Sequence, residues 1–472
     1  MKKPGSFYRI PAFFDSHLHF LGLGQRACTI DLCRAKSVAE IKEIVALNIG
    51  SSPFVGRGWN QNNFTDQNMI TKTDLNQVSV SVPIILYRIC GHIAVVNDIV
   101  LTEIAKHDPV KGGTIDFKTG IVTENALGLL HRFLSEPSRE EIIKYLLKAN
   151  EILLSQGVTE VMSDDFQTFS VDYDLIIDVI NELYKSDKLQ VKIIEQVHLP
   201  ETGLLKAFLV KKYLNKDFGT FRLGPLKLLA DGSIGGRTAY LHEPYSDDMN
   251  NRGVSLFSDV QMSELFDLAN MAGMDCHIHA IGDAAIEQVL TLMEKSLIKT
   301  GRVRHRHAII HAQLANTFQI RKMRDLGISA IVQPIFLESD IAMLDARLGM
   351  RKNESYLFRT MYENGVNVGF STDAPIETAN PFVNIYTAMT RTSVKDKALG
   401  FHLQKEAFTL EEALLCYREN NLYLAYDEAK DFTDYLEVDR DIFTANPEEI
   451  LATKVIRTVI GGKTVYERSQ GK

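Results

Sequence analysis

His17-Leu18-His19 constrains this chain more than any other feature. The motif closes a short apolar run, Pro11-Ala-Phe-Phe-Asp-Ser16. In a β-strand, residues two apart face the same side, so both imidazoles address one point. Two neutral imidazoles aimed at one point grip a transition metal. A His-x-His pair by itself is commonplace. Here, however, later apolar runs each deliver one more side chain suited to a metal site: Lys227, His279, His311 and Asp373.

A repeating unit sets where those runs lie. An amphipathic helix is followed by a glycine and then a short apolar strand. Ser138 opens one case, with Glu141 placed for a capping box, and Ile142, Leu146, Ala149 and Leu153 follow at helical spacing. Gly157 stops that helix before Val158-Thr-Glu-Val-Met162, which runs into Ser163, Asp164 and Asp165. The unit returns at Gly273, Gly327 and Gly365. Eight strands are expected: 12–16, 158–162, 191–197, 226–230, 274–279, 308–312, 328–333 and 367–372. Helices alternating with buried strands mean parallel strands joined by crossovers. Eight of them predict an α/β fold, a (β/α)8 TIM barrel with its active site at the C-terminal strand ends. A doubly wound open sheet would instead gather its ligands at one switch point.

The barrel is expected over residues 11–430. Residues 20–137 form an insertion after the first strand, far longer than an ordinary crossover, and are expected to fold over the barrel mouth. Residues 431–472, with 1–10, are assigned to a small β-subdomain whose Gly461-Gly462-Lys463 turn reads as a hairpin. The insertion holds Trp59, Phe64 and Tyr87, which either line an apolar pocket or fill a core.

Bulk properties narrow the partners. Of 472 residues, 45% are hydrophobic and 24% charged, an ordinary globular balance, and the net charge of −8 argues against nucleic acid or an anionic membrane. No apolar run approaches a membrane span, and Met1-Lys-Lys is followed by no apolar signal region. The cysteines, five in number and scattered, form no C-x-x-C pair, which suits a cytoplasmic location and free thiols. A small-molecule substrate is expected, and a homodimer is compatible with the sequence. Gly22-Leu-Gly24 and Gly232-Ser-Ile-Gly-Gly236 lack the spacing of nucleotide-binding loops.

The donor set suggests its own chemistry. Four imidazoles and one carboxylate (His17, His19, His279, His311 and Asp373) exceed the needs of one catalytic zinc. Two cations about 3.5–4 Å apart would use them, with an anion bridging the pair. Lys227 is a candidate for that bridge. As an ammonium it cannot ligate, but after capturing carbon dioxide it is a carbamate able to span two cations. The alternative is a strand lysine paired with Asp231. His277 competes with His279 on one strand face. His305 and His307 precede the apolar run that ends in His311, which places them at the other end of the barrel. His198, His242 and His402 read as surface or loop histidines.

These residues resemble the amidohydrolase superfamily, in the family 3 branch that includes N-substituted formamide deformylase. The matching stretches are Phe14-Asp-Ser-His-Leu-His19, Leu226-Lys-Leu-Leu-Ala-Asp-Gly-Ser233, His279-Ala-Ile-Gly-Asp283, His311-Ala-Gln313 and Ser371-Thr-Asp-Ala-Pro375. The resemblance implies one or two divalent metals, usually zinc, a carbamylated Lys227, and hydrolysis of carbon–nitrogen bonds other than peptide bonds by a metal-activated hydroxide. It also favours His279 and His311 over their neighbours. Asp373 would take a proton from the attacking water and return it to the leaving amine. His92, from the insertion, is the candidate for contacting the substrate or its oxyanion. The chain departs from the family at Ile310, where an acidic residue is usual, and at Cys90-Gly91-His92, where Asp-Gly-His is usual. Phosphoester hydrolysis on the same barrel, or a regulatory protein retaining the scaffold, are the competing readings.

Overall fold

The computed structural model describes residues 7–469 except 51, 66–67, 89–92, 109, 111–112, 134–135, 217 and 428–432. The chain divides into two compact units, one of residues 1–24 with 139–472 and one of residues 25–138.

The larger unit is built on eight parallel strands: β1 Phe13–Leu18, β2 Val158–Ser163, β3 Lys192–His198, β4 Arg222–Leu229, β5 Cys276–Ala280, β6 Ala308–His311, β7 Ser329–Val332 and β8 Val368–Phe370. They hydrogen-bond in unbroken chain order from β1 to β8, which is the TIM barrel expected of the sequence. The β1–β8 seam is closed by side chains as well as by backbone. The Asp373 N–H donates to the His17 carbonyl at 2.9 Å. Ser16 Oγ donates to the Phe370 carbonyl at 3.1 Å, and the Asn421 amide donates to the carbonyls of Phe14 and Phe370 at 2.6 and 2.9 Å. Gly369 allows this closure, since a Cβ there would overlap the Asn421 amide.

The helix–glycine–strand units form as their periodicity predicts. Helix Arg139–Ser155 buries Ile142, Leu146, Ala149 and Leu153 on one face. Gly157 then turns the chain with φ +80°, and a Cβ there would collide with Leu436. Helix Thr317–Leu326 carries the same logic at both ends: Asn316 and Gln319 make a capping box, and Gly327 takes the left-handed cap. Together these faces form the main apolar core around the barrel.

The same unit carries a four-stranded antiparallel sheet. Tyr8–Pro11 pairs with Tyr435–Val438, which pairs with Val455–Ile460, and that strand turns at Gly461-Gly462 into Lys463–Glu467. The second unit has a six-stranded mixed sheet with two apolar clusters. Alternation along Ile84–Arg88 sends Ile84 and Leu86 into one cluster and Ile85 and Tyr87 into the other. Trp59 and Phe64 are buried in the first of these, and the Trp59 indole donates to the Leu86 carbonyl at 2.8 Å. These aromatics, with Tyr87, are therefore core residues of that unit.

The seam makes a testable demand. Gly369→Ala forces Asn421 off its two carbonyls and is expected to cost about 1–3 kcal/mol. Gly203→Ala, in a helix with nothing near the new methyl, is expected to be neutral or slightly stabilising. Urea unfolding of both variants checks the contrast.

Candidate metal centre

Each candidate ligand reaches the barrel mouth by strand geometry. His17 is the penultimate residue of β1 and His19 follows its end. Lys227 lies on β4, His279 on β5 and His311 at the end of β6. Asp373 follows β8. His311 and Asp373 take left-handed backbone conformations, with φ of 75° and 56°. Non-glycine residues adopt that region at a cost of about 1–3 kcal/mol, which turns both side chains back over the strand ends.

The side chains converge. Asp373 Oδ1 lies 3.1 Å from His19 Nε2 and 3.4 Å from His17 Nε2. Lys227 Nζ lies 3.1 Å from His17 Nε2. One ligand atom each from His17, His311 and Asp373 falls within 4.8 Å of the others. The His279 and His311 rings meet edge to face with centroids 4.4 Å apart. The structure thus brings together His17, His19, Lys227, His279, His311 and Asp373. His92 lies outside the described residues.

Partners behind the rings decide which nitrogen faces inward. His17 Nδ1 donates to Gln196 Oε1 at 2.6 Å, His311 Nδ1 to Gln333 Oε1 at 2.7 Å, and His19 Nδ1 to the Asp164 carbonyl at 2.9 Å. Their Nε2 atoms therefore face the centre. His279 is reversed: its Nε2 donates to the Gly232 carbonyl at 3.0 Å, so its Nδ1 is the nitrogen available for ligation. Such outer hydrogen bonds fix tautomer and orientation in metal sites.

The electrostatics favour a cation. Burial, with Lys227 nearby, holds His17 far below the usual imidazole range and His279 at about 4, while burial and His279 do the same to His311. These rings are held neutral, the form a ligand must take. His19 is the exception. Burial alone would lower it, but the Asp373 and Asp164 carboxylates override burial and lift it to about 9. In the metal-free protein a proton sits where a cation would bind. Asp373 Oδ1 is buried and receives no aligned hydrogen bond, although two imidazole nitrogens flank it. A buried carboxylate oxygen flanked by imidazole nitrogens is what a divalent cation satisfies once the His19 proton leaves, and the donors present fit one.

Sequence reasoning passed over several neighbours. Asp231 does not pair with Lys227; its oxygens accept the N–H groups of Ile281, Gly282 and Tyr240 at 2.8–3.0 Å. The carboxylate facing Lys227 is Asp164, at 3.8 Å. Burial would raise Asp164, but His198 and Lys227 pull it down to about 2. His198 is buried at the end of β3, contrary to its reading as a surface or loop residue; of the other two, His402 is a buried loop residue and His242 is exposed. His198 ends β3, and the rule that picked out the other strand-end donors would have found it.

The chain matches the model of the amidohydrolase family, Amidohydro_3, over residues 8–466. It belongs to the amidohydrolase family. It is 30% identical to the Bacillus subtilis (strain 168) protein YtcJ, described as an amidohydrolase, over 97% of this chain and 89% of that one. It is 23% identical to the N-substituted formamide deformylase of Arthrobacter pascens, over 98% and 88%. A crystal structure of a metal-dependent hydrolase from Pyrococcus furiosus superposes with a TM-score of 0.76 at 31% identity, covering 92% of this chain and 88% of that one. This amidohydrolase is a metal-dependent hydrolase with its candidate centre at the barrel mouth.

Because a proton on His19 competes with a cation, metal affinity is expected to rise with pH. Below about 9, that proton alone costs up to tenfold in affinity per pH unit, and above it the gain levels off. Chelator competition at pH 7, 8 and 9 measures the slope.

Proposed function

We propose that this amidohydrolase cleaves an amide-type carbon–nitrogen bond, other than a peptide bond, in a small molecule, with formamides the first class to test. One observation carries the reading: the buried Asp373 carboxylate stands across the β1–β8 seam from His17 and His19, with an oxygen that no aligned donor serves. The likeness to an N-substituted formamide deformylase supports the bond type.

Divalent cations bound there would polarise the substrate carbonyl and acidify a water. An imidazole-rich donor set suits zinc. His17, His19 and Asp373 would hold one cation, and His279 and His311 a second. Lys227, as a carbamate, would join them. In that modification its nitrogen bonds the carbon of carbon dioxide and releases a proton. Burial lowers the Lys227 pKa, which favours the neutral amine the reaction needs.

The chain's own groups then handle the proton. Asp373 takes it from the water that attacks the carbonyl carbon. It delivers that proton to the nitrogen, so the carbon–nitrogen bond breaks as the N–H bond forms. Gln196 and Gln333 keep the imidazoles aimed throughout.

A panel of formamides, acylated amines and phosphoesters, run on protein of measured metal content, tests the reading. Turnover of phosphoesters alone would replace it. Asp373→Asn is expected to lower kcat by about 10³-fold or more while metal content changes little. Retained activity would remove Asp373 from the proton path.

A further inference from the structure

We propose that His198 is a further catalytic residue: backed by Asp164, it presents an Nε2–H to the substrate carbonyl oxygen and stabilises the negative charge that builds there during attack. This rests on the hydrolytic reading above and deepens it.

Placement comes first. His198 is the last residue of β3. Strand alternation puts it on the same face as Gln196, and Gln196 lies inside the barrel, where its amide spans His17 Nδ1 and His277 Nδ1 at 2.6 and 3.0 Å. His198 is the register partner of Lys227 on β4. It therefore sits one step above Gln196, level with a candidate ligand. In the sheet order, β2 and β1 separate β3 from β8. His198 and Asp373 thus approach the reacting group from different sides, and the oxyanion partner does not compete with the base.

Bonding comes second. His198 Nδ1 lies 3.5 Å from Asp164 Oδ1, and the two side chains are 11% and 5% exposed. The other Asp164 oxygen faces Lys227 at 3.8 Å, and the Asp164 carbonyl accepts from His19. One aspartate thereby ties His198 to two candidate ligands. Among the described residues, His198 Nε2 has no protein partner. Structural histidines of this barrel look different. His277 engages Gln196 with one nitrogen and the Arg306 carbonyl with the other, and His307 engages the Cys276 N–H and Asn270. A sheltered imidazole with a carboxylate behind one nitrogen and no protein group on the other is built to act on a bound molecule. In that arrangement Nδ1 is turned to the Asp164 carboxylate and Nε2–H is the group left to meet an oxyanion.

The experiment compares wild type, His198→Ala and His198→Gln, all metal-loaded. It reads steady-state kinetics on the best substrate of the panel. It also reads the calorimetric Kd of an N-alkyl methylphosphonamidate, whose P–O⁻ stands where the oxyanion would form. His198→Ala is expected to lower kcat about 10²–10³-fold, with KM changed only a few-fold and metal content unchanged. It is also expected to weaken the phosphonamidate by about 100-fold. His198→Gln, which can offer an amide N–H, is expected to recover part of both losses. If His198→Ala matches wild type in kcat and phosphonamidate affinity, or loses metal in step with activity, the proposal is overturned. If wild type binds the phosphonamidate without turning over any panel member, the affinity ratio alone decides. If wild type neither turns over a carbon–nitrogen substrate nor binds the phosphonamidate, the hydrolytic reading falls first and takes this one with it.

Discussion

The Asp15–Thr372 clamp is the contact on which the rest of the site depends. Asp15 is fully buried and accepts Thr372 Oγ1 at 2.6 Å, the Thr372 N–H at 3.1 Å and the His17 N–H at 3.2 Å. One carboxylate thus grips the residue before Asp373 and the backbone of His17. Burial pushes this carboxyl up to about 7, although the hydrogen bonds from Thr372 and His17 oppose the shift. The first and last strands of a barrel have no short connection to set their register. Here a side chain sets it, and the same side chain brings a carboxylate against two imidazoles.

Much of the fold was legible because barrel strands are short, apolar and punctuated. All eight were placed to within a few residues, since crossover helices announce their buried faces at helical spacing and several mark their ends with a glycine, as at Gly157 and Gly327. β4 was the least well bounded. It begins at Arg222, several residues before the apolar run at Leu226, because Gly224 and Pro225 masked its start. The six-stranded sheet of residues 25–138 was not legible as such. Its strands are two to six residues long and mixed in direction, so no single period runs through them.

The candidate ligands were readable as strand-end donors, but the groups that aim them were not. Gln196 and Gln333 are amides inside apolar strands or at their ends, and an amide carries no periodic or spacing signal. Asp164 stood in plain view beside Asp165. Its place opposite Lys227 nevertheless depends on β2 and β4 flanking β3, a tertiary fact. Asp231 looked the better partner only because it is close in sequence. Just past the end of β4, it turns into the loop and is consumed by three backbone N–H groups. His198 was misread because a histidine without a motif was judged by residue type rather than by its position on a strand.

The seam also carries a consequence for biosynthesis. Asp15 and Thr372 are 357 residues apart, so the strand bearing His17 and His19 leaves the ribosome long before the segment that closes on it exists. At translation speeds of about 5–20 residues per second, that wait is roughly 20–70 s. Throughout it, the apolar β1 lacks β8, and until Val158–Ser163 is made it lacks β2 as well, while two imidazoles wait for the carboxylate of Asp373. The candidate centre is therefore complete only in the finished chain, and a nascent chain caught in that interval offers a chaperone an open sheet edge.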